Sequence, residues 1–146
     1  MMLPKASARV EKVIKLANAV AREYDREYVG TEHLLLAIAS DGTGLGAEIL
    51  SRHGATPEKL RREVDALVQK SMEETWVFGR LPGTPHFKNV MAVAIEQCQQ
   101  LEGRELCTEH LLLALLKEPG CIACKALKAL GVTYDKVRGE ILAAAG

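Results

Sequence analysis

The sequence has no excess of charge of either sign. Its 146 residues include 19 Lys and Arg against 19 Asp and Glu, so the formal net charge at pH 7 is zero. Because these charges are interleaved along the chain, the usual electrostatic attraction to nucleic acid or to an anionic membrane is missing. The sequence also lacks any run of about 18 apolar residues, the length that spans a bilayer. We therefore expect neither a nucleic-acid partner nor a membrane.

Signals for export and for catalysis are also missing. The first nine residues lack the apolar run of a signal peptide, so we expect a cytoplasmic protein whose cysteines stay reduced. No glycine-rich phosphate loop is followed by Lys and Ser or Thr, and no Ser/His/Asp signature occurs. The sequence thus predicts a protein that is not an enzyme and needs no cofactor. Its length and 48% apolar content suit one folded domain with its own core.

What the sequence does contain is an internal repeat. The heptapeptide Thr-Glu-His-Leu-Leu-Leu-Ala runs from Thr31 to Ala37 and again from Thr108 to Ala114, an offset of 77 positions (108 minus 31). The same offset, without a gap, relates further pairs on both sides of the motif: Ser7 and Thr84, Val13 and Val90, Leu50 and Leu127, Gly54 and Gly131, and Thr56 and Thr133. A repeat of this length indicates a duplicated structural unit, which determines the fold before any local pattern does.

Within each unit, helix-start signals precede apolar residues that recur at three- and four-residue steps. Ser7 and the Thr84-Pro85 pair are expected to cap the first helix of each unit, and Thr31 and Thr108 to cap the second. The leucine run that follows Thr31, and the one that follows Thr108, place apolar residues on all sides of the helix. The second helix of each unit should therefore be buried among the others.

No segment shows the alternation of a β-strand, so the prediction is an all-α fold of eight helices. The helices form two four-helix repeats related by a pseudo-twofold axis, within a single domain of residues 1–146. Repeat one covers residues 7–68 and repeat two residues 84–145. Residues 69–83 form an irregular connector, whose Trp76 and Phe78 are expected to pack against the domain.

Four cysteines and four histidines raise the alternative of a small metal-binding or thiol protein. Cys107 with His110, and Cys121 with Cys124, have the spacing of metal ligands. The repeat offers a comparison, because the four cysteines fall on small residues of the first unit: Cys98 on Ala21, Cys107 on Gly30, Cys121 on Gly44 and Cys124 on Ala47. Small packing residues explain that pattern, since a reduced cysteine behaves as a small apolar side chain. We therefore predict no metal site.

The two histidines of the motif, His33 and His110, recur in both units as an acid–base residue would. Near a helix start and beside a leucine run, however, a histidine more often packs and hydrogen-bonds. We expect that structural role for both. A nucleophilic pairing of Cys107 with His110 is not expected, because no third, orienting group is apparent.

The motif glutamates, Glu32 and Glu109, each follow a threonine in the first turn of a helix. The simplest interpretation is that each carboxylate complements the helix dipole, which contributes about 0.3–1 kcal/mol. The alternative is a pair of ligand sites, because a carboxylate can hold a guanidinium through two hydrogen bonds. Backbone N–H groups at a neighbouring helix start, with the hydroxyl of Ser7 or Thr84, could then receive an anion.

The doubled motif, with a capped helix before it and a glycine-terminated helix after it, resembles the Clp repeat N-terminal domain of ClpA- and ClpC-type AAA+ unfoldases. The resemblance extends from about Ser7 to Leu142. It is closer to the ClpC-type pattern, where the motif reads Gly-Thr-Glu-His, as Gly30 to His33 does here. The resemblance implies a non-catalytic docking domain of a Clp-type protease system. The implied partners are adaptor proteins, substrate proteins or an unfoldase.

For the ClpC branch, the resemblance further implies that each repeat binds phosphorylated arginine, with the motif glutamate holding the guanidinium. Glu32 and Ser7 would then belong to one site, and Glu109 and Thr84 to the other. Cys107 stands where glycine is usual in the family. The second site is therefore expected to differ in shape from the first, or to be weaker.

Three questions stay open at the level of the sequence. The chain carries no Walker motif, so it could be a domain of a longer protein or a stand-alone member acting as an adaptor or modulator. A metal or thiol protein built on the four cysteines and His110 remains the alternative function. A purely structural helical protein that associates with itself is the third possibility.

Overall fold

The computed structural model of the chain describes residues 4–24, 26, 28–70 and 84–145. Within these ranges lie eight helices, and the predicted all-α fold of two four-helix repeats is confirmed. Repeat one contains α1 (Ala8–Glu23), α2 (Thr31–Asp41), α3 (Gly44–Arg52) and α4 (Pro57–Lys70). Repeat two contains α5 (Pro85–Gln100), α6 (Thr108–Lys117), α7 (Ile122–Ala129) and α8 (Tyr134–Ala145).

The end of the first repeat differs slightly from the prediction. The helix α4 continues through Lys70, two residues into the segment 69–83 that was expected to be an irregular connector. The predicted packing of Trp76 and Phe78 lies outside the described residues.

The two leucine helices, α2 and α6, form the centre of the core. Their leucines are at most 1% exposed in both motifs: Leu34, Leu35, Leu36, Leu111, Leu112 and Leu113. Burying each such side chain contributes about 1.5–3 kcal/mol relative to leaving it exposed. The helix α1 packs along α2, α5 packs along α6, and α3 and α4 contact α6 and α7 of the other repeat. The core is therefore shared between the repeats.

Two short strands supplement the helices. Residues Lys5–Ala6 form β1 and residues Glu105–Leu106 form β2, and the two strands pair in parallel. The sequence analysis missed them because two residues are too few to show an alternating pattern. This pairing ties the chain before α1 to the chain before α6, which belongs to the other repeat.

The capping of α1 and α5 follows the prediction. The hydroxyl of Ser7 accepts the backbone N–H of Val10 at 3.2 Å, and the hydroxyl of Thr84 accepts the N–H of Phe87 at 3.0 Å. Each bond satisfies one of the N–H groups that have no acceptor inside a first helical turn.

The predicted capping of α2 and α6 is wrong. Their N-cap residues are Gly30 and Cys107, and Thr31 and Thr108 are the first helical residues. The hydroxyls of both threonines accept backbone N–H groups from the opposite repeat instead. A threonine before an apolar run therefore marked the helix start correctly to within one residue, but its hydroxyl has a tertiary role.

Within the described ranges, no single helix is long and apolar enough to cross a membrane. Together, α2 and α3 have sufficient length and apolar composition, but they are bent by 88° relative to each other.

Candidate functional site

The two motif glutamates occupy equivalent positions in α2 and α6 but differ in exposure. Glu32 is only 3% exposed, whereas Glu109 is partly exposed. A ligand site needs a carboxylate that a ligand can reach. In this structure Glu109 meets that requirement and Glu32 does not.

The N-cap residue explains the difference. A Cβ placed on Gly30 would overlap the carboxylate of Glu32, whose Cδ lies 2.8 Å from that position. The Glu32 side chain thus occupies the space that a side chain at residue 30 would need. In repeat two the N-cap is Cys107, whose side chain takes this space and leaves it closed to the carboxylate of Glu109. The two acidic positions therefore differ in shape, and the repeat that keeps the glycine is the closed one.

Burial also changes the protonation of the closed carboxyl. Loss of solvent raises the pKa of Glu32 to about 7, although a hydrogen bond to its own backbone and the charge of Arg26 act in the opposite direction. Burial therefore favours the protonated, uncharged form of Glu32. Such a carboxyl is a poor partner for a cation unless the site opens.

His33, next to Glu32, is held in its neutral form. Burial lowers its pKa to about 4. Its Nδ1 accepts the backbone N–H of Gly30 at 2.9 Å, so that nitrogen carries no proton. Nδ1 also lies 3.8 Å from Oε1 of Glu32, but without the proton the two do not form an ion pair. The imidazole packs beside the rings of Tyr24 and Tyr28, with centroid distances of 5.9 and 5.8 Å.

His110 makes the equivalent contact in repeat two. Its Nδ1 accepts the N–H of Cys107 at 2.9 Å, and burial lowers its pKa while the charge of Glu109 acts in the opposite direction. Both motif histidines thus hydrogen-bond the N-cap of their own helix. This is the structural role that their position near a helix start predicted.

The first helix of each repeat, α1 or α5, begins against the other repeat. The N–H of Ser7 donates to the carbonyl of Leu106 at 2.9 Å, and the N–H of Thr84 donates to the carbonyl of Val29 at 3.0 Å. These two bonds are equivalent in the repeat, because Thr84 lies 77 positions after Ser7 and Leu106 lies 77 positions after Val29. Each repeat therefore places its first helix start beside the leucine helix of its neighbour.

This exchange corrects the pairing that the resemblance implied. Ser7 bonds Leu106, two residues before the helix α6 that carries Glu109, and Thr84 bonds Val29, two residues before the helix α2 that carries Glu32. The expected pairs, Glu32 with Ser7 and Glu109 with Thr84, are wrong. The parallel pairing of β1 with β2 carries the chain across the pseudo-twofold axis before α1 begins. The sequence of a single repeat does not predict this crossing, because it depends on contacts between the repeats.

Glu109 opens into a cavity of about 600 Å³. The apolar part of its wall comes from three parts of the fold: Leu45 of α3, Leu101 after α5, and Ile141 and Leu142 of α8. The polar part comes from the segment before α6 and from its first turn: Arg104, Glu105, Cys107, Glu109 and His110. Leu142 is 44% exposed, the one large apolar side chain in the described ranges that is so open. The cavity combines an acidic wall with an apolar wall.

The start of α1 supplies the positive part of this region. Ser7 caps α1, a helix of 16 residues, and its N–H bonds the carbonyl of Leu106, the residue before Cys107. The N–H groups of the first helical residues, Ala8 and Arg9, have no acceptor within the helix. Free N–H groups and the helix dipole favour an anion at such a position. Carboxylate and helix start thus provide complementary charges near one another.

The cysteines do not assemble a metal site in the described part of the chain. No group of three or more His, Cys, Asp or Glu side chains in those ranges is arranged to hold a metal ion. All four thiols are free, and Cys98, Cys121 and Cys124 are buried. Their burial agrees with the interpretation as small packing residues. Cys107 is partly exposed and lines the cavity.

Comparison with known proteins places this arrangement in a family. Residues 5–106 and 83–146 match the family described as the Clp repeat (R) N-terminal domain. The chain belongs to the Clp repeat N-terminal domain family. The match includes both repeats, as the doubled motif led us to expect.

Relatives of this Clp repeat domain are much longer proteins. The chain is 37% identical over 141 residues to the "ATP-dependent Clp protease ATP-binding subunit ClpA homolog" of Cyanidium caldarium. That alignment covers 97% of the chain and 16% of the relative. The chain is 32% identical over 142 residues to the "Negative regulator of genetic competence ClpC/MecB" of Bacillus subtilis (strain 168). That alignment covers 97% of the chain and 17% of the relative. The chain therefore spans about a sixth of the length of these relatives.

Solved structures agree on the fold. The N-terminal domain of the chaperone ClpD from Arabidopsis thaliana superposes with a TM-score of 0.76 at 20% identity, covering 99% of this chain and 97% of that one. The Hsp104 N-terminal domain from Candida albicans gives a TM-score of 0.76 at 18% identity, covering 97% and 92%. At these identities the comparison supports the fold alone.

Several residues of the Glu109 cavity were missed by the sequence analysis. Leu45, Ile141 and Leu142 come from helices that are distant in the sequence, and no local pattern indicates that they meet. The Gly30-to-Cys107 difference, in contrast, was visible in the repeat alignment. Its effect on the neighbouring glutamate required the backbone geometry.

Proposed function

We propose that this Clp repeat domain is a non-catalytic docking module of a Clp-type AAA+ unfoldase or protease system, where it binds adaptor or substrate proteins. The relatives are named as Clp ATPase subunits, and the domain accounts for about a sixth of each. A cavity at the surface of a core shared between the repeats suits the recognition of a partner.

The finer proposal is that the Glu109 cavity binds phosphorylated arginine. A carboxylate can hold the guanidinium with two charge-assisted hydrogen bonds. The nearby start of α1 offers N–H groups to the phosphate. The observation that carries this proposal is the partly exposed Glu109 beside the helix start capped by Ser7. Glu32 is a closed counterpart whose site must open before a ligand enters.

Calorimetric titration with a phosphoarginine peptide tests the finer proposal. We expect Glu109→Gln to weaken binding at least tenfold at pH 7.5. Glu32→Gln, the matched change in the closed repeat, should alter affinity by less than threefold. The same peptide with unmodified arginine is the control for simple charge attraction. Equal affinity of the wild type and Glu109→Gln would remove this carboxylate from the site.

The coarser proposal has its own test. Affinity capture from native cell extract, with the wild type and Glu109→Gln compared by quantitative mass spectrometry, identifies the partners that need the cavity. We expect Clp ATPases, their adaptors or their substrates among the proteins that the wild type enriches. Enrichment of none of these classes would argue against a docking role in a Clp system.

A further inference from the structure

Two cysteine thiols meet at one backbone carbonyl beside the cavity. The Sγ of Cys98 lies 3.3 Å from the carbonyl oxygen of Glu105, and the Sγ of Cys107 lies 3.5 Å from the same atom. The two sulfurs are therefore no farther apart than the sum of these distances. Cys98 is in the last turn of α5, and Cys107 is the N-cap of α6. The loop between those helices brings them together.

The two thiols differ in access. Cys98 is fully buried, while Cys107 is partly exposed and lines the cavity of about 600 Å³. A small reagent that enters the cavity meets Cys107 first, and Cys98 lies behind it. An accessible thiol backed by a second one is the arrangement in which a mixed disulfide is resolved by an internal thiol.

We propose that Cys107 and Cys98 are a redox-active dithiol that forms a reversible disulfide in the wall of the Glu109 cavity. In the first step, the Cys107 thiolate attacks one sulfur of oxidised glutathione, and one glutathione leaves as a thiolate that takes up a proton. The Cys98 thiolate then attacks Sγ of Cys107, and the second glutathione leaves in the same way. Two protein thiols are oxidised, and one glutathione disulfide is reduced to two glutathione molecules.

The disulfide changes the cavity because Cys107 is part of its wall. Ser7, at the start of α1, donates its N–H to the carbonyl of Leu106, the residue before Cys107. A bond to Cys98 draws the Cys107 sulfur towards α5 and so changes the cavity wall beside the start of α1. Burial raises the pKa of both thiols, with Glu109 adding to the effect, so the exchange is slow at neutral pH.

The other two cysteines are an internal comparison. Cys121 and Cys124 are 1% and 2% exposed, and their thiols hydrogen-bond the carbonyls of Leu115 and Leu116 at 3.6 and 3.5 Å. Neither belongs to the lining of the cavity. A reagent that enters the cavity should therefore leave this pair reduced.

Peptide mapping of the full chain tests the proposal. The reduced protein is incubated at pH 8 with mixtures of reduced and oxidised glutathione, alkylated, and digested with trypsin without reductant. Cleavage after Lys88, Arg104 and Lys117 places Cys98 and Cys107 on separate peptides, 89–104 and 105–117. We expect these two peptides to be linked after oxidation and separate after dithiothreitol. Peptide 118–125, which holds the other pair, should stay unoxidised.

Two results would overturn the proposal: glutathione retained on Cys107 without the linked peptides, or a disulfide in 118–125 instead. The variant Cys98→Ala introduces the residue found at the equivalent position of repeat one, Ala21, and should stop at the glutathione adduct. Amide NMR shifts supply a second readout. Oxidation should move the signals of Ser7 and Glu109 in the wild type, and unchanged signals would show that the disulfide leaves the cavity as it was.

Discussion

The hydroxyl of Thr108 in repeat two accepts the backbone N–H of Gly46 in repeat one at 3.1 Å. Thr31 and Ala123 make the equivalent contact across the pseudo-twofold axis at 3.4 Å. Both N–H groups lie in the first turn of a helix, where no intrahelical acceptor exists. Each motif threonine thus satisfies the helix start of the opposite repeat, and the two repeats depend on each other for buried hydrogen bonds.

Replacing Thr108 by valine should destabilise the domain by about 1–3 kcal/mol, because the buried N–H of Gly46 loses its acceptor while the volume hardly changes. The matched change Thr31→Val breaks a longer hydrogen bond and should cost less. Urea unfolding followed by circular dichroism measures both. Equal stability of Thr108→Val and the wild type would mean that the hydroxyl does not hold the repeats together.

Introducing a side chain at Gly30 should open the closed acidic position. In Gly30→Ala, the new methyl group takes the space of the Glu32 carboxylate, which must then turn towards solvent. The backbone tolerates alanine, since φ of Gly30 is −107°. The pKa of Glu32 should fall from about 7 towards 4.5, its ordinary value in a solvated glutamate. An NMR titration of the side-chain carboxyl carbon measures this, and a pKa that stays near 7 would contradict the explanation.

The buried Glu32 carboxyl should make stability depend on pH. Its pKa is raised in the folded state to about 7 from 4.5, so its contribution is fully present below 4.5 and is lost as the pH rises through 7. In Glu32→Gln this loss is absent. We compare the free energy of unfolding of Glu32→Gln with that of the wild type at each pH. The difference, variant minus wild type, should be about 2–3 kcal/mol more positive at pH 8 than at pH 5. Urea unfolding at the two pH values measures it, and Glu109→Gln is the control at the open position.

His33 should make the domain less stable as the pH falls, the opposite of the dependence expected for Glu32. Its pKa is lowered to about 4 in the folded state from 6.5, so its contribution is present above 6.5 and is lost as the pH falls through 4. His33→Gln keeps an acceptor for the N–H of Gly30, as in a capping box, but does not titrate. Between pH 8 and pH 4, the variant should lose less stability than the wild type. A parallel loss in both proteins would assign the acid sensitivity elsewhere.

The repeat alignment predicted most of the fold because helix periodicity and capping are local properties. Ser7 and Thr84 cap their helices as expected, since an N-cap depends on a hydroxyl three residues before an N–H. The prediction failed at Thr31 and Thr108, whose hydroxyls bind the opposite repeat. It failed again at the pairing of Ser7 with Glu32, because the crossing of the chain between repeats leaves no local pattern.

The sequence by itself determined that the chain is a duplicated helical unit with matched acidic positions, since a repeat and its hydrophobic spacing are written in the order of the residues. Only the tertiary structure decided that the two positions are not equivalent. Glu32 lies in the space left by a glycine and loses its solvent, whereas Glu109, with a cysteine in that place, faces a cavity built from α3, α6 and α8. Burial and access depend on which side chains meet in space, and residues far apart in the chain set them.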